Sequence, residues 1–208
     1  MGSPQSGSTY EEAAFERLKL EGFRLDSSTF TDCRFIRCSL VEAALDTCRF
    51  QRCTFIDCDL SLVQVPGSEF ASVEFEGSKL VGVNWTMADE NRPTLGKPMA
   101  FASSNLSHCT FIGMEVTGLQ MIDCVAHEVD FRQTDLQNAV FSGTDLRGSL
   151  FMDTDLSGAD LRTARNYSID PTKCKLSGAQ LSMPEAISLL HTLDIRLDED
   201  DDHRPDLL

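Results

Sequence analysis

Eight cysteines, four histidines and a set of regularly placed aspartates hold most of the chemical potential of this 208-residue chain. Thiolates and imidazoles at the right spacing bind zinc, and a histidine beside a serine or cysteine creates a nucleophile. Neither arrangement is written here. Cys33, Cys38, Cys48, Cys53 and Cys58 fall at multiples of five, not in the close C-x-x-C pairs of a structural zinc site. They read as small core residues with free thiols, the state expected in a reducing cytoplasm. His108, His127, His191 and His203 have no second ligand or nucleophile at useful spacing. The phosphate-cradling patterns G-x-x-x-x-G-K-[ST] and G-x-G-x-x-G are absent. The chain is therefore read as a non-enzyme with no catalytic, cofactor or metal residues. Asp135, Asp145, Asp155 and Asp160 each precede a leucine in a repeated context, and are expected to accept hydrogen bonds within turns.

That regular placement extends to the whole chain. From Phe15 to Trp85 every fifth residue is large and apolar, and after a break the series resumes one residue out of frame at Phe101 and runs to Leu161. A helix turns about 100° per residue, so a row with period five spirals around it and never forms a face. A flat strand alternates sides with period two, so an odd step flips the face. The chain must instead bend once per repeat so that each central side chain points inward. Like residues also recur every twenty: Phe15, Phe35, Phe55 and Phe75, then Leu20, Leu40, Leu60 and Leu80. Four bends thus close one coil. The expectation is an all-β, right-handed quadrilateral parallel β-helix whose coils rise by about 4.8 Å. The position two before each centre is small (Cys33, Ala43, Ser104, Thr144 and Ala159 are examples), and should fill the interior between the large residues.

The chain divides accordingly. Residues 1–12 read as a flexible leader and 13–181 as the solenoid, interrupted by a loop at 86–98 marked by Pro93, Gly96 and Pro98. Ser182 as N-cap with Glu185 three residues on signals a short helix over 182–197. A solenoid end exposes apolar core and unpaired backbone. Ile187, Leu189, Leu190, Leu193, Ile195 and Leu197 would cover that end and could form a self-complementary dimer interface. Residues 198–208 read as an acidic, disordered tail.

The net charge is −15. Residues 1–100 hold 15 acidic and 10 basic residues, whereas 101–208 hold 18 acidic and 8 basic. Direct binding to a nucleic-acid backbone needs the opposite sign. No apolar run reaches the roughly 18 residues of a membrane span. A basic protein partner fits better. Glu115, Asp135 and Asp155, twenty residues apart, should stack as an acidic ladder on one wall. A rod carrying such a ladder could occupy a DNA-binding groove on another protein. The loop residues Thr86, Met87, Asp89, Glu90, Asn91, Arg92 and Leu95 are the other candidate contact with a partner.

Runs such as Ser142-Gly143-Thr144-Asp145-Leu146-Arg147-Gly148-Ser149 and Leu156-Ser157-Gly158-Ala159-Asp160-Leu161 resemble the A-[DN]-L-x-x repeat of pentapeptide-repeat proteins. Cys58-Asp59-Leu60-Ser61-Leu62, Gly82-Val83-Asn84-Trp85-Thr86, Asn166-Tyr167-Ser168-Ile169-Asp170 and the stretch from Leu181 to Leu190 resemble, more narrowly, the albicidin-resistance members of that family. These are similar to microcin B17 immunity and plasmid quinolone-resistance proteins. The resemblance implies a cytoplasmic homodimer joined through C-terminal helices. It implies binding to DNA gyrase (the GyrA/GyrB complex), with topoisomerase IV as a second candidate, and resistance or self-immunity to a gyrase-poisoning antibiotic, partly by DNA mimicry. The residues alone leave a second reading open: a non-enzymatic scaffold with an unrelated partner.

Overall fold

The computed structural model describes residues 2–89 and 98–193. Within them the period of five becomes a four-walled, right-handed parallel β-helix. The first wall begins with β1 (Thr9–Glu11), β4 (Thr29–Thr31), β7 (Arg49–Gln51) and β9 (Glu69–Ala71), paired in parallel in that order. The second wall is the longest sheet: β2 (Ala14–Glu16), β5 (Arg34–Ile36), β8 (Thr54–Ile56), β10 (Glu74–Glu76), β11 (Ala100–Ala102) and β12 (Gln120–Ile122). The third wall is a ladder of single bridges from Lys19 through Ser39, Asp59, Lys79, Asn105, Val125 and Asp145 to Arg165. The fourth opens with β3 (Arg24–Asp26) and β6 (Ala44–Asp46) and continues below as Asn84, Thr110, Asp130 and Leu150.

Register explains why like residues repeat. Phe15, Phe35, Phe55, Phe75 and Phe101 are successive partners on the second wall. Their rings stack at 4.6–5.1 Å and interplanar angles of 15° or less. Tyr10, Phe30, Phe50 and Phe70 form an equal stack on the first wall and meet the neighbouring column edge-on, as at Phe30–Phe35 (5.4 Å, 64°). Offset stacks and edge contacts are the two favoured aromatic geometries, so a square cross-section satisfies both. Full burial of each such side chain contributes about 2–3 kcal/mol.

The small inward residues do more than fill space. Cys53 Sγ donates to Phe30 O (3.4 Å), Ser78 Oγ to Phe55 O (3.2 Å) and Thr134 Oγ1 to Phe111 O (2.8 Å). Each acceptor lies 23 residues earlier, in the coil above. Phe111 O also accepts from Met114 N (3.0 Å), but the Phe30 and Phe55 carbonyls would otherwise be buried unpaired, at a cost of about 1–3 kcal/mol. This favours Ser, Thr and Cys over Ala at that position.

Three sequence expectations need correction. The ordered array begins before residue 13: Tyr10 occupies an inward position, β1 pairs with β4, and Tyr10 stacks on Phe30 at 5.1 Å. Residues 9–12 are thus the first rung of the rod and not a flexible leader. Tyr10 has the bulk to close the aromatic column, which a Gly- and Ser-rich context obscured. At the other end Ser182 is not an N-cap. Its hydroxyl donates to Arg162 O, one coil back, and its carbonyl accepts from Ala186 N. The helix is a 3-10 turn over Glu185–Ile187 followed by one α-helical turn, α1 (Ser188–His191). Pro184 holds the N-cap without a side-chain hydrogen bond. The third correction concerns the loop and follows below. The acidic tail at 198–208 lies outside the described residues.

Candidate protein-binding site

The chain keeps its regular course beyond Trp85. A 3-10 turn spans Trp85–Met87, where Asn84 Oδ1 accepts from Thr86 N (3.1 Å) and Thr86 Oγ1 (2.7 Å). Met87 O accepts from Gly67 N (2.8 Å), and Asp89 N donates to Ser68 O (2.9 Å). Regularity returns at the buried Met99, and Phe75 then pairs with Phe101, 26 residues on instead of twenty. Six extra residues therefore fall between Asp89 and Met99. This narrows the predicted loop: Thr86, Met87 and Asp89 belong to the coil, held by backbone hydrogen bonds that a sequence pattern does not reveal. Of these, Met87 is 42% exposed. Glu90, Asn91, Arg92 and Leu95 lie outside the described residues.

The insertion interrupts the first wall, between β9 above and Glu115 below. Glu115, Asp135 and Asp155 bridge one another in parallel on that wall, so the structure brings the acidic ladder together. Its members are not equivalent. Glu115 is exposed. Asp135 accepts from Gln137 N (2.9 Å) and Nε2 (3.1 Å). Asp155 accepts from Ser157 N (3.0 Å) and from Lys175 Nζ (3.1 Å), the next rung down. Hydrogen bonds from Ser157, with help from Lys175, hold the Asp155 carboxyl below the usual carboxylate range. One carboxylate per rung of about 4.8 Å is roughly a third of the charge density of duplex DNA.

The turn role expected of the aspartates is present throughout: Asp145 and Asp160 accept from the N–H groups of Arg147 and Arg162, as Asp130 does from Arg132. Asp145 is the most buried, at 7% exposure. Burial pushes its pKa up. Hydrogen bonds from Asn166 Nδ2 (2.9 Å) and Arg147 N, with His127 at 3.4 Å, outweigh that and bring it down to about 2. Burial pushes the Cys53 and Cys109 thiols up to about 12 and Cys124 to about 11. These groups stay protonated at neutral pH, and a protonated thiol is neither nucleophile nor ligand. Among the described residues no cluster of His, Cys, Asp and Glu could hold a metal ion, and no helix is long and apolar enough to cross a membrane.

At the C-terminal end Ile187 and Leu189 are half-buried, Leu190 and Leu193 are 38% and 37% exposed, and Ile195 and Leu197 lie outside the described residues. Met183, which the sequence reading did not select, is 70% exposed beside them. Three more exposed apolar residues, Ile112, Leu150 and Met152, escaped notice on the fourth wall. The usable signal was their place immediately before or after a central Phe, where polar residues are the rule.

A family model for the pentapeptide repeat region matches residues 28–98 and 94–161. The chain belongs to the pentapeptide-repeat family. No curated protein matches it in sequence. Among solved structures it is similar to two trypsin-treated variants of QnrB1, a plasmid-mediated fluoroquinolone resistance protein. The first is 16% identical with a TM-score of 0.69, covering 92% of this chain and all of the other. The second, also 16% identical, has a TM-score of 0.68 with 93% and 99% coverage. At that identity the likeness is one of fold, and this pentapeptide-repeat chain shares with both nearly its full length.

Proposed function

We propose that this pentapeptide-repeat protein is a non-catalytic, cytoplasmic binding protein that protects DNA gyrase, with topoisomerase IV as a second target, from a gyrase-poisoning antibiotic. The observation that carries the reading is the insertion between Asp89 and Met99, set on the same wall as Glu115, Asp135 and Asp155. A rod with an acidic column and an interruption beside it can lie along a surface built for DNA and reach toward the cleavage site. Partial mimicry suits the modest charge density of the column. The full-length likeness to a fluoroquinolone resistance protein supports the same direction. Self-immunity in a producer of such a poison is the matching biological setting. The exposed Met183, Leu190 and Leu193 at the C-terminal end are the proposed contact between two copies. The alternative, a scaffold for an unrelated partner, draws on Ile112, Leu150 and Met152, which lie on a different wall from the insertion.

Gyrase supercoiling and cleavage, titrated with this protein in the presence of an albicidin-like or quinolone poison, tests the proposal. Restored supercoiling at low protein concentration is expected. Unchanged inhibitor sensitivity over a wide titration overturns it. A second chain separates fold from function: residues 91–96 removed, with Glu90→Phe and Pro98→Gly filling the inward and left-handed corner positions. This restores a twenty-residue coil. It should melt no lower than the parent and lose protection.

A further inference from the structure

The second wall carries a depression of about 240 Å³ that the proposed function does not use. Outward positions on this wall flank each central residue. They hold Arg34 and Ile36, Thr54 and Ile56, Glu74 and Glu76 on the upper rungs, and Gln120 and Ile122 below. Between them the rung centred on Phe101 has only the methyl groups of Ala100 and Ala102. The missing side chains leave a dent with Glu74 and Glu76 on one rim, Gln120 and Ile122 on the other. Its volume is below the roughly 300–1,000 Å³ of small-molecule sites, so a single side chain is the right size of occupant.

Of the described three-residue strands, only β10 on this rim carries a carboxylate at both outward positions. Three neighbouring carboxylates have cations: Asp57 has Arg37 at 3.6 Å, Asp59 has Lys79 at 4.0 Å and Glu69 has Arg49 at 2.8 Å. Glu74 and Glu76 are both exposed, and among the described residues neither forms an ion pair. They stand two residues apart on one strand and so face the same side. Two like charges there repel each other and have no cation partner among the described residues.

We propose that this depression receives an arginine side chain presented by a partner protein. The alanine methyls and Ile122 accept the apolar stem, as long basic side chains require. The planar guanidinium, with five donors in a fixed fork, can bridge two separate carboxylates, which a lysine ammonium does less well. The inference stands apart from the identity of the partner and is tested without a topoisomerase.

The test is a backbone-amide NMR titration of the full chain with N-acetyl-arginine methylamide, against its neutral citrulline counterpart, at constant ionic strength. Saturable shifts confined to residues 54, 74–76, 100–102 and 120–122 are expected, with a millimolar Kd and roughly tenfold weaker binding of citrulline. The double variant Glu74→Gln/Glu76→Gln should lose at least about tenfold in affinity. Ala100→Gln should do the same by filling the dent. It copies Gln120 one rung below, so the fold has a precedent for it. Shifts spread over every exposed carboxylate, or binding indifferent to these variants, overturn the proposal. Binding seen only after Arg92→Gln/Lys97→Gln would make the occupant the chain's own segment. Self-association abolished by Glu74→Gln/Glu76→Gln in sedimentation would make it a second copy. Either result also overturns the assignment to a partner.

Discussion

Above the insertion, three-residue strands cover two adjacent walls, Phe and Tyr columns meet at the corner between them, and charged side chains pair across coils. Below it, most pairings are single bridges, an aromatic column that starts at Trp85 on the fourth wall continues as Phe111, Phe131 and Phe151, and charged side chains pair mostly within one turn, with Arg165–Asp145 and Lys175–Asp155 crossing coils. The contrast is clearest in the arginines. Arg24 reaches Asp46, Arg49 reaches Glu69 and Arg52 reaches Asp32, each one coil away. Arg132 and Arg162 instead return to Asp130 and Asp160, two residues away. One backbone geometry is thus stabilised in two ways, by side chains that link coils and by side chains that fix each bend. The lower half is the more acidic in sequence, yet many of its carboxylates are engaged by turn N–H groups. Net charge therefore overstates what that half offers a partner.

The core should be indifferent to this difference, and core variants are the strongest check. Phe55→Ala removes a ring held between Phe35 and Phe75 at 4.6 and 5.0 Å, and Phe131→Ala one held between Phe111 and Phe151 at 5.4 and 5.3 Å. Each should cost about 3–5 kcal/mol in guanidinium unfolding. A loss confined to one of the two would mean that the halves unfold as separate units. Next in size is Thr144→Val, which keeps the shape but strands Met121 O, whose donor is the Thr144 hydroxyl (2.8 Å). About 1–3 kcal/mol is expected by the same measurement, and a neutral result would remove the capping role given to the small inward residues.

Acid should divide the halves further. Asp145 has a folded pKa of about 2, below that of an unfolded aspartate. Its contribution is present above about pH 4 and is lost as the pH falls toward 2, by up to about 2 kcal/mol. Thermal melts from pH 5 to 2 should therefore flatten in Asp145→Asn and, in part, in Asn166→Ala. The smallest effect belongs to the exposed pair above the insertion. Arg52→Ala should leave the unfolding midpoint almost unchanged, and more so at high salt, despite its 2.6 Å contact with Asp32.

Much of this architecture could be read from the chain because its information is one-dimensional. A large residue every fifth position and a like residue every twentieth state the bend and the coil without reference to distant contacts. What could not be read depends on the neighbouring coil. The role of Cys53, Ser78 or Thr134 is set by a carbonyl 23 residues earlier, and Ser182 answers to Arg162 O instead of starting a helix. Tyr10 was missed because only one rung precedes the regular series. The acidic ladder was legible as a column, but the partial neutralisation of Asp155 by Lys175 was not, since Lys175 lies where the repeats fade. The dent on the second wall appears only when Ala100 and Ala102 are set against the rungs above and below.

The six added residues also make the rod a graduated spring. Each coil is bonded only to the coil above and the coil below, so tension applied to the two ends should peel turns off one at a time. A regular twenty-residue turn would lengthen the tether by roughly 60–65 Å once extended. The turn from Phe75 to Phe101 would give a step longer by roughly 20 Å, a single odd tooth in an otherwise even force trace, marking where along the rod the unravelling has reached.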